Sequence, residues 1–288
     1  MGHRPLDGAA ILEYYERGYL CLGPVFDDGE LDELRRLIDE VTVREQQEGR
    51  LYDLLDPALW PDVDESAAPT APPTDGRSHV EFLFNLWRVE PRIRKYVFDS
   101  RLAYWAAQLI GTPAVRLLED NALWKEPRSG GELKWHQDYP YWPLAQPNAV
   151  TAWVALDDTD AANGAMSVAV GSHLTGERLP AAFGTGIPYL QDRRPSTVKS
   201  VEDPVTAGFE IETITLRAGE VSFHSSLVLH GSPPNTSDRR RRALVIRYVG
   251  DGTIWLGTAR YEYNYTDDEV GLKMGDPIGG EYFPLIPI

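Results

Sequence analysis

The chain has 288 residues, 42 % hydrophobic and 25 % charged, which suits a globular domain with a full core and excludes a fibrous or low-complexity chain. Its net charge of −16 argues against nucleic acid or an anionic membrane surface as a partner, because both reward Lys and Arg. No run of about eighteen apolar residues is present, the opening MGHRPLDGAA lacks an apolar signal segment, and the single cysteine excludes an internal disulfide, so the expectations are no membrane span and a reducing, cytoplasmic setting.

Leu12 to Arg17 read as the end of a short helix stopped by Gly18. Tyr19 to Val25 read as a strand, with Cys21 a buried small hydrophobe. Asp27 and Glu30 form a capping box, and Leu31, Leu34, Leu37, Ile38 and Val41 make one apolar helical stripe. Residues 50–78 hold Pro57, Pro61, Pro69, Pro72 and Pro73, which forbid a helix or central strand. That stretch is either a solvated loop or a lid over an active site. Helical character returns in Val80–Trp87 and in Ile93–Ile110, which Gly111 closes. From Val115 the period becomes that of strands: Val115–Trp124, Leu133–Asp138, Val150–Leu156, Met166–Val170, Glu210–Leu216, Glu220–His224 and Ala243–Val249. Helices followed by many short strands predict an α+β fold with a double-sheet jelly-roll (double-stranded β-helix) core. The organisation expected is one domain over 1–288. It has a mainly helical part at 1–112, the core at 113–250 and an aromatic, proline-rich wrap at 251–288.

The chemistry centres on Trp135-His136-Gln137-Asp138. On an extended strand, side chains two apart leave the same face, so His136 and Asp138 can converge on one spot. An imidazole and a carboxylate are two thirds of a metal site, and His230 in Leu229-His230-Gly231-Ser232 is the leading third ligand. Two His and one carboxylate, with open positions opposite, is the donor set of non-haem Fe(II) oxygenases. Arg241 lies eleven residues after His230 (241 − 230 = 11), at the start of an apolar strand. A buried guanidinium there suits the distal carboxylate of a cosubstrate, because its planar fork binds carboxylates at two points.

These pieces resemble the phytanoyl-CoA dioxygenase family of Fe(II)/2-oxoglutarate-dependent oxygenases. The resemblance is carried in order by WHQD at 135–138, TAWVALDD at 151–158, NGAMSVAVGSH at 163–173, GEVSFHSSLVLHGS at 219–232 and the following Arg241. It extends to LEYYERGYLCLGPVFDDGELDELRRLIDEV near the start and GDPIGGEYFPLIP near the end. It implies the same fold, an Fe(II) centre held by His136, Asp138 and His230, and 2-oxoglutarate and O2 as cosubstrates. The implied reaction releases succinate and CO2 while a C–H bond is hydroxylated. Related halogenases carry a small residue in place of the carboxylate, so Asp138 implies hydroxylation or another hydrogen-abstraction outcome.

The remaining polar residues carry competing readings. His173, in a Gly-Ser-His that the family shares, is expected to be structural. His224 lies six before His230 and could compete for the metal; the Ser225-Ser226 step and the family pattern leave it as a neighbour of the site. His3 and His79 are surface residues by default. Trp153 could wall the 2-oxoglutarate pocket or simply be core. Ser232 could donate to the cosubstrate carboxylate. Asn121 and Lys125 alternate on one strand and could line the same cavity, although Lys125 could equally make a surface ion pair. Tyr139, Tyr141 and Trp142 could form a substrate wall, accept a cation on a ring face, or pack as core. The expected substrate is a small molecule, cationic or natural-product-like, since no basic patch for a CoA phosphate is evident. Two rivals remain: a non-catalytic metal- and 2-oxoglutarate-binding protein, and a cupin-type metal-dependent hydrolase or isomerase, which would have no need of Arg241.

Overall fold

The computed structural model describes residues 3–48, 52–53, 80–129, 131–179, 198–257 and 267–288. Helix α1 (Gly8–Arg17) is capped by Asp7, whose side chain accepts from Ala10 N, and it ends at Gly18 with φ 85°. Strand β1 (Tyr19–Leu22) follows; it is shorter than expected because Gly23-Pro24 ends it. Helix α2 (Asp28–Gln47) starts on the expected Asp27–Glu30 capping box and buries the expected stripe from Leu31 to Val41. Its apolar face packs against the helical side of the main sheet.

The main sheet is eight-stranded and antiparallel. Beyond β1 it takes β2 (Tyr52–Asp53), β3 (Glu81–Phe84), β4 (Val115–Lys125), β6 (Ala149–Ala155), β9 (Val221–Ser225), β11 (Arg241–Gly250) and β12 (Leu285–Ile286). Its order is β1-β9-β6-β11-β4-β3-β2, with β12 on the far end of β4. A second sheet holds β5 (Leu133–His136), β7 (Ser167–Ala169), β8 (Ile211–Thr213) and β10 (His230–Ser232) in the order β5-β10-β7-β8. The two sheets form the expected jelly roll.

Strand β6 is buried on both faces along its whole length. One face meets the helices: Val150, Ala152 and Val154 share a core with Leu244, Ile246, Phe223 and α2. The other meets the second sheet: Trp153 and Ala155 pack with Val245, Met166 and Val168. A strand covered on both sides is apolar throughout, so a polar residue on its inner face marks the cavity.

Several elements differ from the sequence reading. Val80–Trp87 is not helical: residues 81–84 pair with β4, and only α3 (Leu86–Val89) is a helical turn. Phe82 and Phe84 share one face of that strand, their rings stacked at 5.7 Å. Ile93–Ile110 breaks into α4 (Arg94–Val97) and α5 (Ser100–Ile110), because Asp99 accepts from Arg101 N and Leu102 N and starts a fresh helix. Gly111 closes α5 at φ 76°, as expected. Cys21 is exposed on edge strand β1 rather than buried. His3 lies 5.7 Å from the Tyr104 ring. The tail contributes Trp255, Ile278 and Phe283 to a third core cluster with Leu118, Trp142 and Val249. The lid expected at 50–78 lies outside the described residues, apart from β2, and so does His79. Among the described residues, no helix is long and apolar enough to cross a membrane.

The helical side of β4 carries a buried acid, Asp120. It accepts from Trp87 N at 3.4 Å through one oxygen, and its other oxygen has no partner among the described residues. Burial, joined by the nearby charge of Glu119, pushes its carboxyl up to about 8. The unfolded value is about 3.9, so between roughly pH 4 and 8 the folded protein keeps a proton that the unfolded chain has lost. Stability therefore falls as pH rises through that window. Asp120→Asn should remove this dependence and gain up to about 5 kcal/mol relative to the parent above pH 8, and little below pH 4. Thermal unfolding at pH 4 and pH 8.5 checks it; an equal difference at both values would refute the assignment.

Candidate metal centre and cosubstrate pocket

His136 is the last residue of β5, and His230 is the first of β10, directly opposite it in the antiparallel pair. Asp138 is not on the strand: its φ −71°, ψ −42° begins a tight turn over Tyr139–Tyr141. The convergence of His136 and Asp138 thus comes from a strand end turning back, not from strand alternation. The donor atoms of His136, Asp138 and His230 lie within 4.8 Å of one another. Each histidine Nε2 is close to Asp138 Oδ1, at 3.7 Å from His136 and 3.6 Å from His230.

Both imidazoles are set in the tautomer a metal requires. His136 Nδ1 is 2.7 Å from Lys134 O and His230 Nδ1 is 3.1 Å from Val228 O, so each Nδ1–H donates to a carbonyl and Nε2 keeps its lone pair. Burial lowers the pKa of both rings despite the Asp138 charge, which keeps them neutral. Burial opposes the Asp138 carboxylate, but the Arg247 guanidinium and a hydrogen bond from His224 outweigh it and hold Asp138 well below the usual carboxylate range. Asp138 Oδ2 is engaged elsewhere: it accepts from Thr151 Oγ1 at 2.9 Å and lies 3.5 Å from His224 Nε2. One oxygen is left for a metal.

His224 sits on β9 of the main sheet while His230 is on the second sheet, their rings 4.7 Å apart across the cavity. It touches the back of the carboxylate, as a neighbour of the site. His173 has its Nε2 3.0 Å from Tyr15 O, and a Cβ at Gly18 would meet His173 Nδ1 at 2.5 Å. It ties the mouth of the barrel to α1 and is no part of the metal cluster.

The metal-side cavity is lined by Asn121, Trp153, Ser232 and Arg241 at one end and by Glu119, Tyr141, Trp142 and Arg247 at the other. Arg241 is 1 % exposed. Its Nε and Nη2 have no hydrogen-bond partner among the described residues, and no carboxylate there pairs with it. Its guanidinium carbon is 5.5 Å from the Trp153 ring centroid. The three arginines beside it are all paired: Arg239 with Asp160, Arg240 with Asp39 and Glu126, Arg242 with Asp157 and Asp39. Burial alone lowers Arg241 to about 10, so it is still a cation at neutral pH. Lys125 is its partner across β4 and β11. Burial, then the Arg241 charge, lowers Lys125 to about 6, and its Nζ donates to Ser232 O, Ser232 Oγ and Pro233 O. The surface ion pair considered for Lys125 is therefore not formed. Both amide atoms of Asn121 are buried without a partner among the described residues.

The sequence matches the phytanoyl-CoA dioxygenase family over residues 14–243. The chain belongs to this family. It is 34 % identical over 137 residues to a probable alpha-ketoglutarate-dependent hypophosphite dioxygenase of Stutzerimonas stutzeri, a match covering 47 % of this chain and 46 % of that protein. It is 28 % identical over 247 residues to an ectoine dioxygenase of Bordetella parapertussis, covering 82 % and 73 %. In structure it is similar to a non-haem alpha-ketoglutarate-dependent carbocyclase from nogalamycin biosynthesis, with TM-score 0.73, 24 % identity and coverage of 98 % and 97 %. The protein is thus a non-haem Fe(II)- and 2-oxoglutarate-dependent oxygenase by family, with a donor set that fits divalent iron.

Sequence reasoning missed four residues of this site. Thr151 steers Asp138. Gln137, between the ligands, donates to Gly176 O and Leu227 O and accepts from Arg178 N, tying the two ligand-bearing segments together. Glu119 and Arg247 face the cavity by the same alternation that placed Asn121 and Arg241, so the period of two could have found them. His136→Ala, Asp138→Ala and His230→Ala should each abolish stoichiometric Fe(II) binding in equilibrium dialysis, whereas His173→Ala should bind iron fully and His224→Ala at least in part. Full iron occupancy in His230→Ala with none in His224→Ala would reverse the assignment.

Proposed function

We infer that the protein holds Fe(II) on His136, Asp138 and His230, anchors 2-oxoglutarate through Arg241, and hydroxylates a C–H bond of a small molecule. The observation that carries this reading is the unpaired Arg241. An isolated buried charge costs several kcal/mol, and here three neighbouring arginines all have acids while the buried one has none. A dicarboxylate would supply the missing partner. A metal-dependent hydrolase would leave Arg241 without a role.

When bound, Fe(II) and 2-oxoglutarate supply O2-driven decarboxylation to succinate and CO2, coupled to hydrogen removal and hydroxyl delivery at carbon. This chain's residues do the rest. Arg241 and the Ser232 hydroxyl, held by Lys125, would fix the far carboxylate. Trp153 would cover it from water, and the orphaned amide of Asn121 would meet the bound molecule. Thr151 would keep Asp138 on one oxygen. The substrate is proposed to be a small metabolite or natural product rather than an acyl-CoA. The family relatives named for ectoine and hypophosphite, and the nogalamycin neighbour, accord with that.

Arg241→Ala should weaken 2-oxoglutarate binding by roughly 30- to several-thousand-fold while sparing iron, the loss expected for a buried charge-assisted partner. Arg241→Lys should recover part, because an ammonium lacks the two-point fork. Alanine at Arg239, Arg240 or Arg242 should do much less. Calorimetric titration of the iron-loaded protein reads this out, and 2-oxoglutarate affinity unchanged in Arg241→Ala would defeat the reading.

A further inference from the structure

Strand β11 points Arg241, Ala243, Val245 and Arg247 at one cavity. Six residues of strand span about 20 Å, so the two arginines stand at opposite ends of it. Arg241 is at the Ser232 end. Arg247 is at the Asp138 end, with its Nε 3.8 Å from Asp138 Oδ2. Directly across the sheet, Glu119 on β4 faces the same space, and Arg247 Nη1 lies 2.8 Å from Glu119 Oε1. That contact is an ion pair without hydrogen-bond alignment. Arg247 Nε and Nη1 remain buried with no hydrogen-bond partner among the described residues.

The pair lines the same cavity as the aromatic side chains of Tyr141, Trp142 and Phe84. The Arg247 guanidinium carbon is already 5.7 Å from the Trp142 ring centroid, so this ring already carries the protein's own cation on one face. Among the described residues, the charges lining the cavity are Glu119, Asp138, Arg241 and Arg247, which cancel. A divalent metal and a dicarboxylate cancel as well. A further net charge brought into this buried space would have no counter-charge among the described residues, and an unpaired buried charge is unfavourable.

We propose that Glu119 and Arg247 form the polar subsite for the primary substrate, and that this substrate is net neutral, offering an acceptor to Arg247 and a donor to Glu119 beside an apolar body. The inference rests on the oxygenase reading above, which puts 2-oxoglutarate at the Arg241 end and leaves the Asp138 end for the substrate.

The test uses three probes of nearly one shape, benzamide, benzoate and benzamidine, which are neutral, anionic and cationic. Binding is measured by ligand-observed NMR on the protein loaded anaerobically with Fe(II) and 2-oxoglutarate. The parent should bind benzamide best. Glu119→Gln uncovers Arg247 and should shift the benzoate-to-benzamide ratio by about tenfold or more towards benzoate, the effect of one unpaired buried charge. Arg247→Gln should shift the benzamidine-to-benzamide ratio as far towards benzamidine. The double variant removes both charges, so it should return to the neutral order even if a single variant folds poorly. A parent that prefers benzoate or benzamidine, or binds none of the three, overturns the proposal. So does an order that the substitutions leave unchanged. Failure of 2-oxoglutarate itself to bind in the same samples would instead defeat the oxygenase reading.

Discussion

The centre of this protein depends on how closely β10 approaches β5. A Cβ on Gly231 would stand 2.9 Å from Leu133 O and 3.3 Å from Trp135 N, closer than real side chains come to backbone. Only glycine permits the contact that sets His230 opposite His136. The metal pair is therefore fixed by backbone pairing between two short strands and not by side-chain flexibility. Gln137 extends the same constraint, because its two N–H donors and one acceptor are all spent on backbone of the surrounding loops. With both ligand-bearing segments pinned, the donors are preorganised and little ordering remains when an ion binds.

The main sheet then works as a partition. On its helical face β11 offers Leu244, Ile246 and Tyr248 to the core beneath α2 and α5. On its inner face it offers Arg241 and Arg247 to the cavity. Burying two guanidiniums is costly, and the two cases are resolved differently. Arg247 has Glu119 and the back of Asp138. Arg241 has only Lys125, whose amine is turned to Ser232 and Pro233 oxygens, and an indole face for company. The contrast is that the protein itself supplies an acid to Arg247 and, among the described residues, none to Arg241.

Much of this was legible in the chain. Asp27 with Glu30, Gly18 and Gly111 are local signals whose physics lies within a few residues, and all three hold. His136, His230 and Arg241 could be picked out by spacing and family resemblance. What the chain hid was set by partners distant in sequence. Residues 81–84 became a strand because β4 was there to pair with it. Strand β10 is too short to show a period and exists through its two neighbours. The unpaired state of Arg241 could not be read from a run of four arginines, since Asp39, Asp157 and Asp160, which claim the other three, come from far along the chain.

Asp138 shows how these levels meet. It stands just past a strand end, where a turn rather than an extended chain aims it. Thr151, from the inner face of a strand that is otherwise apolar, takes one of its oxygens. His224 and Arg247 lie behind that same oxygen, from two further strands. Three strands of the main sheet thus hold the back of a carboxylate whose front faces two histidines of the second sheet. A carboxylate held this way can give a metal one oxygen and not two, which preserves an open position beside it. The openness that oxygenase chemistry needs is in this protein a product of the space between the two sheets, and it would persist only while both remain in register.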